Sequence, residues 1–363
     1  MGMPGCPAEP RLSRQGGRRK LWLAIDAETP HMSDVPSLID THGRAVRDLR
    51  ISVTDRCNLR CVYCMPAEGM PWLPKDDLLT YEEIARFAGV CLTLGVTGIR
   101  LTGGEPTVRA DLPVLVRMLG ALRPGLDLSM TTNGLKLVAM GDELRAAGLA
   151  RVNVSLDTLD RERFHRLARR DRLHDVLAGF EAAKRAGFRP IKINAVLMRG
   201  FNEDEAVPLA RWAREQGFEL RFIEWMPLDF SHTWSREKLV PADEILARIG
   251  DVFPIRVAHG EDPSAPATLY EYLDGGGRVG VIASVTRPFC GHCDRIRLTA
   301  DGQIRTCLFS LKEYDFRRLM RGGGSDDEIA ALLKAAVWRK EPGHLINSPY
   351  FRQPARGMSA IGG

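Results

Sequence analysis

Three cysteines within eight residues constrain this chain more than any other stretch: Cys57-Asn58-Leu59-Arg60-Cys61-Val62-Tyr63-Cys64, with Ser52-Val53-Thr54-Asp55-Arg56 before it and Met65-Pro66 after it. The C-x3-C-x2-C spacing fits three corners of an iron–sulfur cube, for which cysteine thiolate is the usual ligand. The fourth iron then has no protein ligand and can bind a small molecule, as the open position of a catalytic zinc does. A zinc knuckle and an ordinary ferredoxin-type site are the alternatives. Zinc wants four ligands, and no fourth Cys or His lies close by.

A second group, Cys290-Gly291-His292-Cys293 with Cys307, again offers three thiolates. Zinc with His292 as fourth ligand is the competing reading here, although a histidine squeezed between two ligands is awkwardly placed for the same metal. Cys6 and Cys91 stand alone; Cys91 falls in an apolar helical pattern and reads as a small buried hydrophobe. In a chain of 363 residues, C-x2-C spacings indicate metal ligands before disulfides and so a reducing compartment. No apolar run approaches about 18 residues. Arg18-Arg19-Lys20 followed by Leu21-Trp22-Leu23-Ala24-Ile25 has the outline of an export signal, but Asp26 ends the apolar run too early. A soluble, cytoplasmic protein is expected, with no membrane partner. The net charge of +5 is modest and favours an anionic small-molecule pocket over a nucleic-acid surface.

Residues 1–37, rich in Gly, Pro and Arg, have no periodicity and read as a flexible tail. From there strands and helices alternate. Strands are expected at 49–54, 98–102, 126–132, 151–156, 191–197 and 219–226, and helices at 80–94, 111–122, 142–147, 172–186 and 203–216. Thr80 with Glu83 forms a capping box. Six such units predict an α/β fold with a partial (βα)6 TIM-like barrel. Arg100 with Thr102, Asn153 with Ser155, Lys192 with Asn194, and Glu224 followed by Met226 put polar residues on strands of a parallel sheet, which suggests an enclosed polar pocket. The barrel is placed at 38–240. A C-terminal extension at 241–363 carries a helix at 241–249, a long loop at 263–277, strands at 278–284 and 296–299 with an Asp301-Gly302 turn between hairpin strands, and a helix opened by the Ser325/Glu328 capping box.

In Leu101-Thr102-Gly103-Gly104-Glu105-Pro106 the glycines allow backbone to approach a ligand that a Cβ would block, though alone the segment is also a plausible strand-ending turn. Following the cysteine loop, with Tyr63 beside the last cysteine, it resembles the radical S-adenosylmethionine (SAM) superfamily. Residues 48–66 resemble the GTP 3',8-cyclase family, which opens molybdenum cofactor biosynthesis, and the resemblance runs from about residue 38 to Gly363. It implies two 4Fe–4S clusters. One, on Cys57, Cys61 and Cys64, binds the amino and carboxylate groups of SAM and reductively generates a 5'-deoxyadenosyl radical. The other, on Cys290, Cys293 and Cys307, faces the purine of GTP. The radical takes hydrogen from C3' of GTP, the resulting C3' radical attacks C8 of guanine, and reduction by one electron with uptake of a proton gives (8S)-3',8-cyclo-7,8-dihydroguanosine 5'-triphosphate.

By the same resemblance Tyr63, Gly104, Ser155 and Met226 contact SAM, and Arg50, Arg100, Thr131, Lys192, Arg295 and Arg297 bind GTP, with Arg221 a further candidate. Arginine suits bidentate recognition of phosphate oxygens. Arg295, Arg297, Gly362 and Gly363 are implied in catalysis, the Gly-Gly end reaching into the active-site cavity. The implied partners are an electron donor, cyclic pyranopterin monophosphate synthase downstream, and a second copy in a homodimer. Two other classes compete. A radical SAM peptide maturase usually carries more C-terminal cysteines and lacks Arg-x-Arg and the Gly-Gly end; an iron–sulfur electron carrier needs neither Gly103-Gly104 nor a polar lining.

Overall fold

The computed structural model describes residues 38–260 and 262–362, so the expected tail at 1–37, with Cys6, and the terminal Gly363 lie outside the described residues. Six strands follow one another in the sheet: β1 (Asp48–Ser52), β2 (Gly98–Thr102), β3 (Asp127–Thr132), β4 (Arg151–Ser155), β5 (Ile191–Leu197) and β6 (Glu219–Glu224). Every neighbouring pair among them is parallel. The connecting helices are α1 (Tyr81–Thr93), α2 (Leu112–Leu122), α3 (Leu137–Ala146), α4 (Arg161–Ala168), α5 (Leu173–Arg185) and α6 (Ala206–Gln216), and α7 (Ala242–Gly250) follows β6.

Patterning explains these elements. In β5 burial alternates strictly, with Ile191, Ile193, Ala195 and Leu197 facing the helices and Lys192, Asn194 and Val196 turned the other way. Helix α1 starts where the capping box predicts, Thr80 accepting from the Glu83 amide and Glu83 from the Thr80 amide, and it buries Ile84, Phe87, Ala88 and Cys91 at helical spacing. Cys91 is fully buried, and burial alone holds its thiol well above the ordinary range. Full burial of each Leu, Ile or Val on the helix-facing side contributes about 1.5–3 kcal/mol, and the apolar core is continuous from Leu38 to Val337.

The C-terminal residues extend the same sheet. β7 (Ile255–Val257), β8 (Thr268–Tyr272) and β9 (Arg278–Ile282) form an antiparallel group that joins β6 through parallel β9. On the opposite side β10 (Arg295–Leu298) runs parallel to β1 and continues antiparallel into β11 (Gln303–Arg305) and β12 (Tyr314–Asp315). Eight strands are therefore parallel, two more than the six expected, and side chains from all eight line one cavity, so the sheet curls around it. The order stays linear, a partial barrel. Helices α8 (Phe316–Arg321) and α9 (Asp326–Trp338) pack back on α1, Phe316 meeting Phe87 edge-on with centroids 5.2 Å apart. The last element is α10 (Met358–Ile361).

Three sequence expectations change. The loop expected at 263–277 contains β8, whose Leu269 and Tyr272 are buried despite the flanking Pro and Gly. Helix α4 has no counterpart in the prediction because its sequence is strongly polar and only Phe164, Leu167 and Ala168 are buried. Glu224 does not join the inward polar stripe: it is buried on the opposite face, accepting from the amides of Ala242, Val285 and Thr286 at 2.8–2.9 Å.

The C-terminal segment is tied to the β10–β11 turn by a bidentate pair, Arg356 Nη1 and Nη2 to Asp301 Oδ1 and Oδ2 at 2.9 and 2.8 Å, with Thr299 Oγ1 donating to the same carboxylate. Burial pushes the Asp301 carboxyl up, but the Arg356 and Thr299 bonds outweigh it and hold it below its usual value. A carboxyl with a depressed native pKa stabilises the fold above its ordinary value of about 3.9 and loses that contribution as pH falls through the native value. The tail should thus stay anchored between pH 5 and 8 and loosen only in acid. Arg356→Ala should speed amide exchange at Ile361 and Gly362 by about tenfold or more at neutral pH, the low end for charge-assisted bonds; unchanged exchange would show that the pair does not hold the tail.

Candidate active site

The parallel register lines up the inward-facing polar residues. Arg297 of β10 is paired with Arg50 of β1, Arg50 with Arg100 of β2, and Arg100 with Ser129 of β3. One row further along, Thr131, Asn153 and Lys192 are neighbours across β3, β4 and β5, and Asn194 pairs with Arg221. Three guanidinium groups so aligned repel one another. Burial first, then the Arg297 and Arg100 charges, push Arg50 well below its ordinary pKa, and burial with Arg295 brings Arg297 down to about 10. Nε of Arg50 and Nη2 of Arg295 are buried without a hydrogen-bond partner. Unpartnered donors beside a local excess of positive charge fit a polyanion.

Arg50, Arg100, Thr131, Met226, Arg295 and Arg297 line a single cavity together with Cys290, Cys293 and Cys307. The resemblance-implied GTP residues and the second cysteine group thus meet. Lys192 does not line this cavity. It sits nearer the N-terminal end of β5, 3.5 Å from Glu219, whose carboxylate also holds Arg221 at 2.6 Å; burial and the Arg221 charge bring it down to about 8. His292 is exposed and lies outside the cavity lining.

The first cysteine loop occupies the C-terminal end of β1. Cys57, Cys61 and Cys64 are half-buried free thiols. Burial pushes Cys57 up to about 11 and Cys64 to about 12, and raises Cys61 well above its usual range. Thiolates so placed need a cationic group to stabilise them, and bound iron would supply it. Among the described residues no three His, Cys, Asp or Glu side chains converge on one point as a single ion requires; a 4Fe–4S cube, each thiolate on its own iron, does not ask for that.

Gly103-Gly104-Glu105 holds the loop in place. A Cβ on Gly104 would lie 2.4 Å from the Arg56 carbonyl and 2.5 Å from that of Asp55; one on Gly103 would lie 2.5 Å from the Thr54 carbonyl. The close approach that requires glycine is therefore to the chain's own cysteine loop, sealed by Gly104 N to Thr54 O and Glu105 N to Arg56 O, each 2.8 Å. The buried Glu105 carboxylate then ties this turn to the end of β3, accepting from Thr132 Oγ1 and the Asn133 amide at 2.7 Å. Tyr63 Oη donates to Asp157 at 2.8 Å, just beyond β4, and Asp157 also accepts from the Val196 amide. Burial raises Asp157 to about 6. Ser155, half-buried, ends β4; it and Gly104, Tyr63 and Met226 all stand at C-terminal strand ends, where barrel enzymes place their chemistry.

The C-terminal segment reaches the same region. Arg297 Nη1 donates to the Gly362 carbonyl at 3.1 Å. Gly362 has φ +83°, and a Cβ there would lie 2.6 Å from Thr102 Oγ1 and 2.9 Å from Ser52 Cβ. Residues the sequence did not single out also line the cavity, among them Phe289, Thr306, Phe309, His344 and Met358. Asn153 and Asn194 were legible from strand alternation; His344 and Phe309, paired edge-on at 5.2 Å, lie in loops without a periodic signal.

Comparison with known proteins bears on both halves. The Radical SAM superfamily model matches residues 51–213, and the Molybdenum Cofactor Synthesis C model matches residues 218–346. The GTP 3',8-cyclase of Mycolicibacterium smegmatis is 52% identical over 92% of this chain and 94% of its own length. That of Streptomyces coelicolor is 53% identical over 90% and 96%. Among solved structures, Streptococcus suis SuiB bound to S-adenosylmethionine shares the fold at a TM-score of 0.59, with 15% identity, covering 88% of this chain and 78% of that one. The cysteine loop, the arginine row and these relatives lead to one conclusion: the chain belongs to the GTP 3',8-cyclase family of the radical SAM superfamily.

Proposed function

We propose that the protein converts GTP, with SAM as co-substrate, into (8S)-3',8-cyclo-7,8-dihydroguanosine 5'-triphosphate, the first step of molybdenum cofactor biosynthesis. The observation that carries this reading is the single cavity in which arginines with unpartnered donors, Arg50 Nε and Arg295 Nη2, meet three free cysteines. When bound, a reduced 4Fe–4S cluster and SAM supply the 5'-deoxyadenosyl radical that takes hydrogen from C3' of GTP. The chain's own residues do the rest. Cys57, Cys61 and Cys64 would hold that cluster, and Gly104 sets the loop carrying them against the end of β2. Tyr63, its ring fixed through Asp157, and Ser155 and Met226 would contact SAM.

Arg50, Arg100, Arg295 and Arg297, with Arg221 on the same cavity wall and Lys192 just outside it beside Glu219, bind the triphosphate, and Thr131 lies among the arginines. Cys290, Cys293 and Cys307 would hold a second 4Fe–4S cluster, which would supply an anchor for the purine. Fixing the nucleotide at both ends brings C3' and C8 into a near-attack geometry, which rewards positioning strongly. Arg297 serves both nucleotide and tail: its bond to the Gly362 carbonyl supports a catalytic part for the Gly362-Gly363 end. This reading assigns residues 38–240 to SAM chemistry and 241–363 to the second cluster and substrate. It includes a homodimer, an external electron donor and cyclic pyranopterin monophosphate synthase as the next enzyme, all resting on family resemblance.

Anaerobic reconstitution with iron and sulfide, followed by dithionite, SAM and GTP, should give 5'-deoxyadenosine and a nucleotide of unchanged mass. Cys57→Ala should abolish both products. Deoxyadenosine without GTP conversion would overturn the substrate and favour a peptide maturase. Arg100→Ala, which removes charge-assisted bonds of about 1.5–3 kcal/mol, should weaken GTP binding about 10- to 100-fold while leaving guanosine nearly unaffected; equal losses for both would place Arg100 away from the phosphates. Gly104→Ala should block iron loading at the first cysteine loop through its clash with the residue 55 and 56 carbonyls, and full loading would contradict that account.

A further inference from the structure

Behind the second cysteine group lies a buried cation that the proposed reaction does not use. Lys340, 3% exposed, follows α9 and donates from Nζ to the Arg295 carbonyl at 2.6 Å and to the Thr306 carbonyl. Arg295 is two residues after Cys293, and Thr306 directly precedes Cys307. One ammonium therefore clamps the two backbone segments that present these thiols. The residues after it reach the same site. Glu341 accepts from Thr306 Oγ1 at 2.7 Å, and its carbonyl accepts from Arg44 Nη2 at 2.6 Å. Arg44 Nη1 also binds the Cys290 carbonyl at 2.7 Å. A Cβ on Gly343 would lie 2.9 Å from Cys290 Cβ, so only glycine lets the strap run this close. All three cysteine segments are braced by one short strap, and its buried charge is Lys340.

A buried ammonium bound to carbonyls alone is costly to desolvate, and it is stabilised by a nearby anionic group. Thiolate-ligated clusters are anionic, and their potentials respond to nearby charge and hydrogen bonding. Resting on the reading that Cys290, Cys293 and Cys307 carry a cluster, we propose that Lys340 is its positioning residue: the ammonium fixes the Cys293 and Cys307 segments and supplies the positive charge that keeps this cluster readily reducible.

The test uses the full chain with Cys57, Cys61 and Cys64 replaced by Ala, so that only the C-terminal site can load. Iron and sulfide per chain and the midpoint potential, by dye-mediated titration followed by electron paramagnetic resonance, are compared for Lys340, K340Q, K340R and K340M. K340Q keeps hydrogen-bond donors without the charge. K340R keeps the charge and covers the case in which the neutral variants misfold. K340Q should load iron but shift the reduced-to-oxidised ratio about tenfold toward the oxidised form at a fixed potential, about 59 mV for a one-electron couple. K340R should stay near the parent, and K340M should also lose iron. Loss of iron in K340Q with K340R loaded supports the proposal, since charge separates the two. Equal iron and equal potential in the parent, K340Q and K340R overturn it. A parent chain that takes up no iron refutes the second-cluster reading, and the Lys340 proposal with it.

Discussion

Like charges held side by side are the constraint on which the rest of this structure depends. Arg297, Arg50 and Arg100 are register neighbours on three parallel strands, and strands in a sheet lie about 4.8 Å apart. Two unit charges about 5 Å apart repel by about 3 kcal/mol at an effective dielectric constant of 20. The opposite sheet face supplies the compensation: Leu49, Ile51, Ile99, Leu101, Ile296 and Leu298 on these strands are all at most 1% exposed. Apolar burial outside the curl holds a positive interior in place. The same charge makes the interior attractive to a polyanion.

The cysteine loop depends on a second constraint, close backbone packing. Gly103 and Gly104 let β2's end abut residues 54–56, and the buried Glu105 carboxylate fastens that turn to β3. The loop that presents three thiols is thus set by hydrogen bonds and contacts with two strand ends. Arg169 adds a further tie from the end of α4, its Nη1 donating to the Met65 carbonyl at 2.9 Å. These ties hold the loop through its backbone and leave its thiols free for other bonds.

What could be read from the sequence, and what could not, follows from the range of the interactions. Strand β5 and the starts of α1 and α9 were legible because alternation and capping boxes are local. The arginine row was only half legible: Arg295 and Arg297 share a strand face by spacing, but their proximity to Arg50 is a matter of register across 245 and 247 positions of chain. Glu224 looked like part of the polar stripe because alternation gives two faces without saying which is which once a strand is buried on both. The need for glycine at 104 was half legible for a related reason. Sequence shows that something must come close, whereas only the structure identifies it as the Arg56 carbonyl. Lys340 and Gly343 lie beyond any motif, their roles created entirely by tertiary contact.

The two cysteine groups sit in opposite electrostatic surroundings. Each N-terminal cysteine has an acidic neighbour that raises its pKa: Glu105 for Cys57, Asp157 for Cys61 and Asp229 for Cys64, with Arg60 near Cys57 as a counter-charge. In the C-terminal group, burial pushes Cys293 up, yet Lys340 and Arg295 bring it down to about 7, and Lys340 also acts on Cys307 against Glu341. Adding an electron to a thiolate-bound cluster is harder beside anions and easier beside cations. Under the proposed assignment, the N-terminal cluster would therefore lie at the lower potential, as reductive cleavage of a sulfonium requires. A C-terminal cluster would lie beside Lys340 and the arginine row, where a triphosphate would meet the same positive charge. One chain could carry both because Glu105, Asp157 and Asp229 sit beside the cysteine loop, whereas the arginine row lies inside the curl of the sheet.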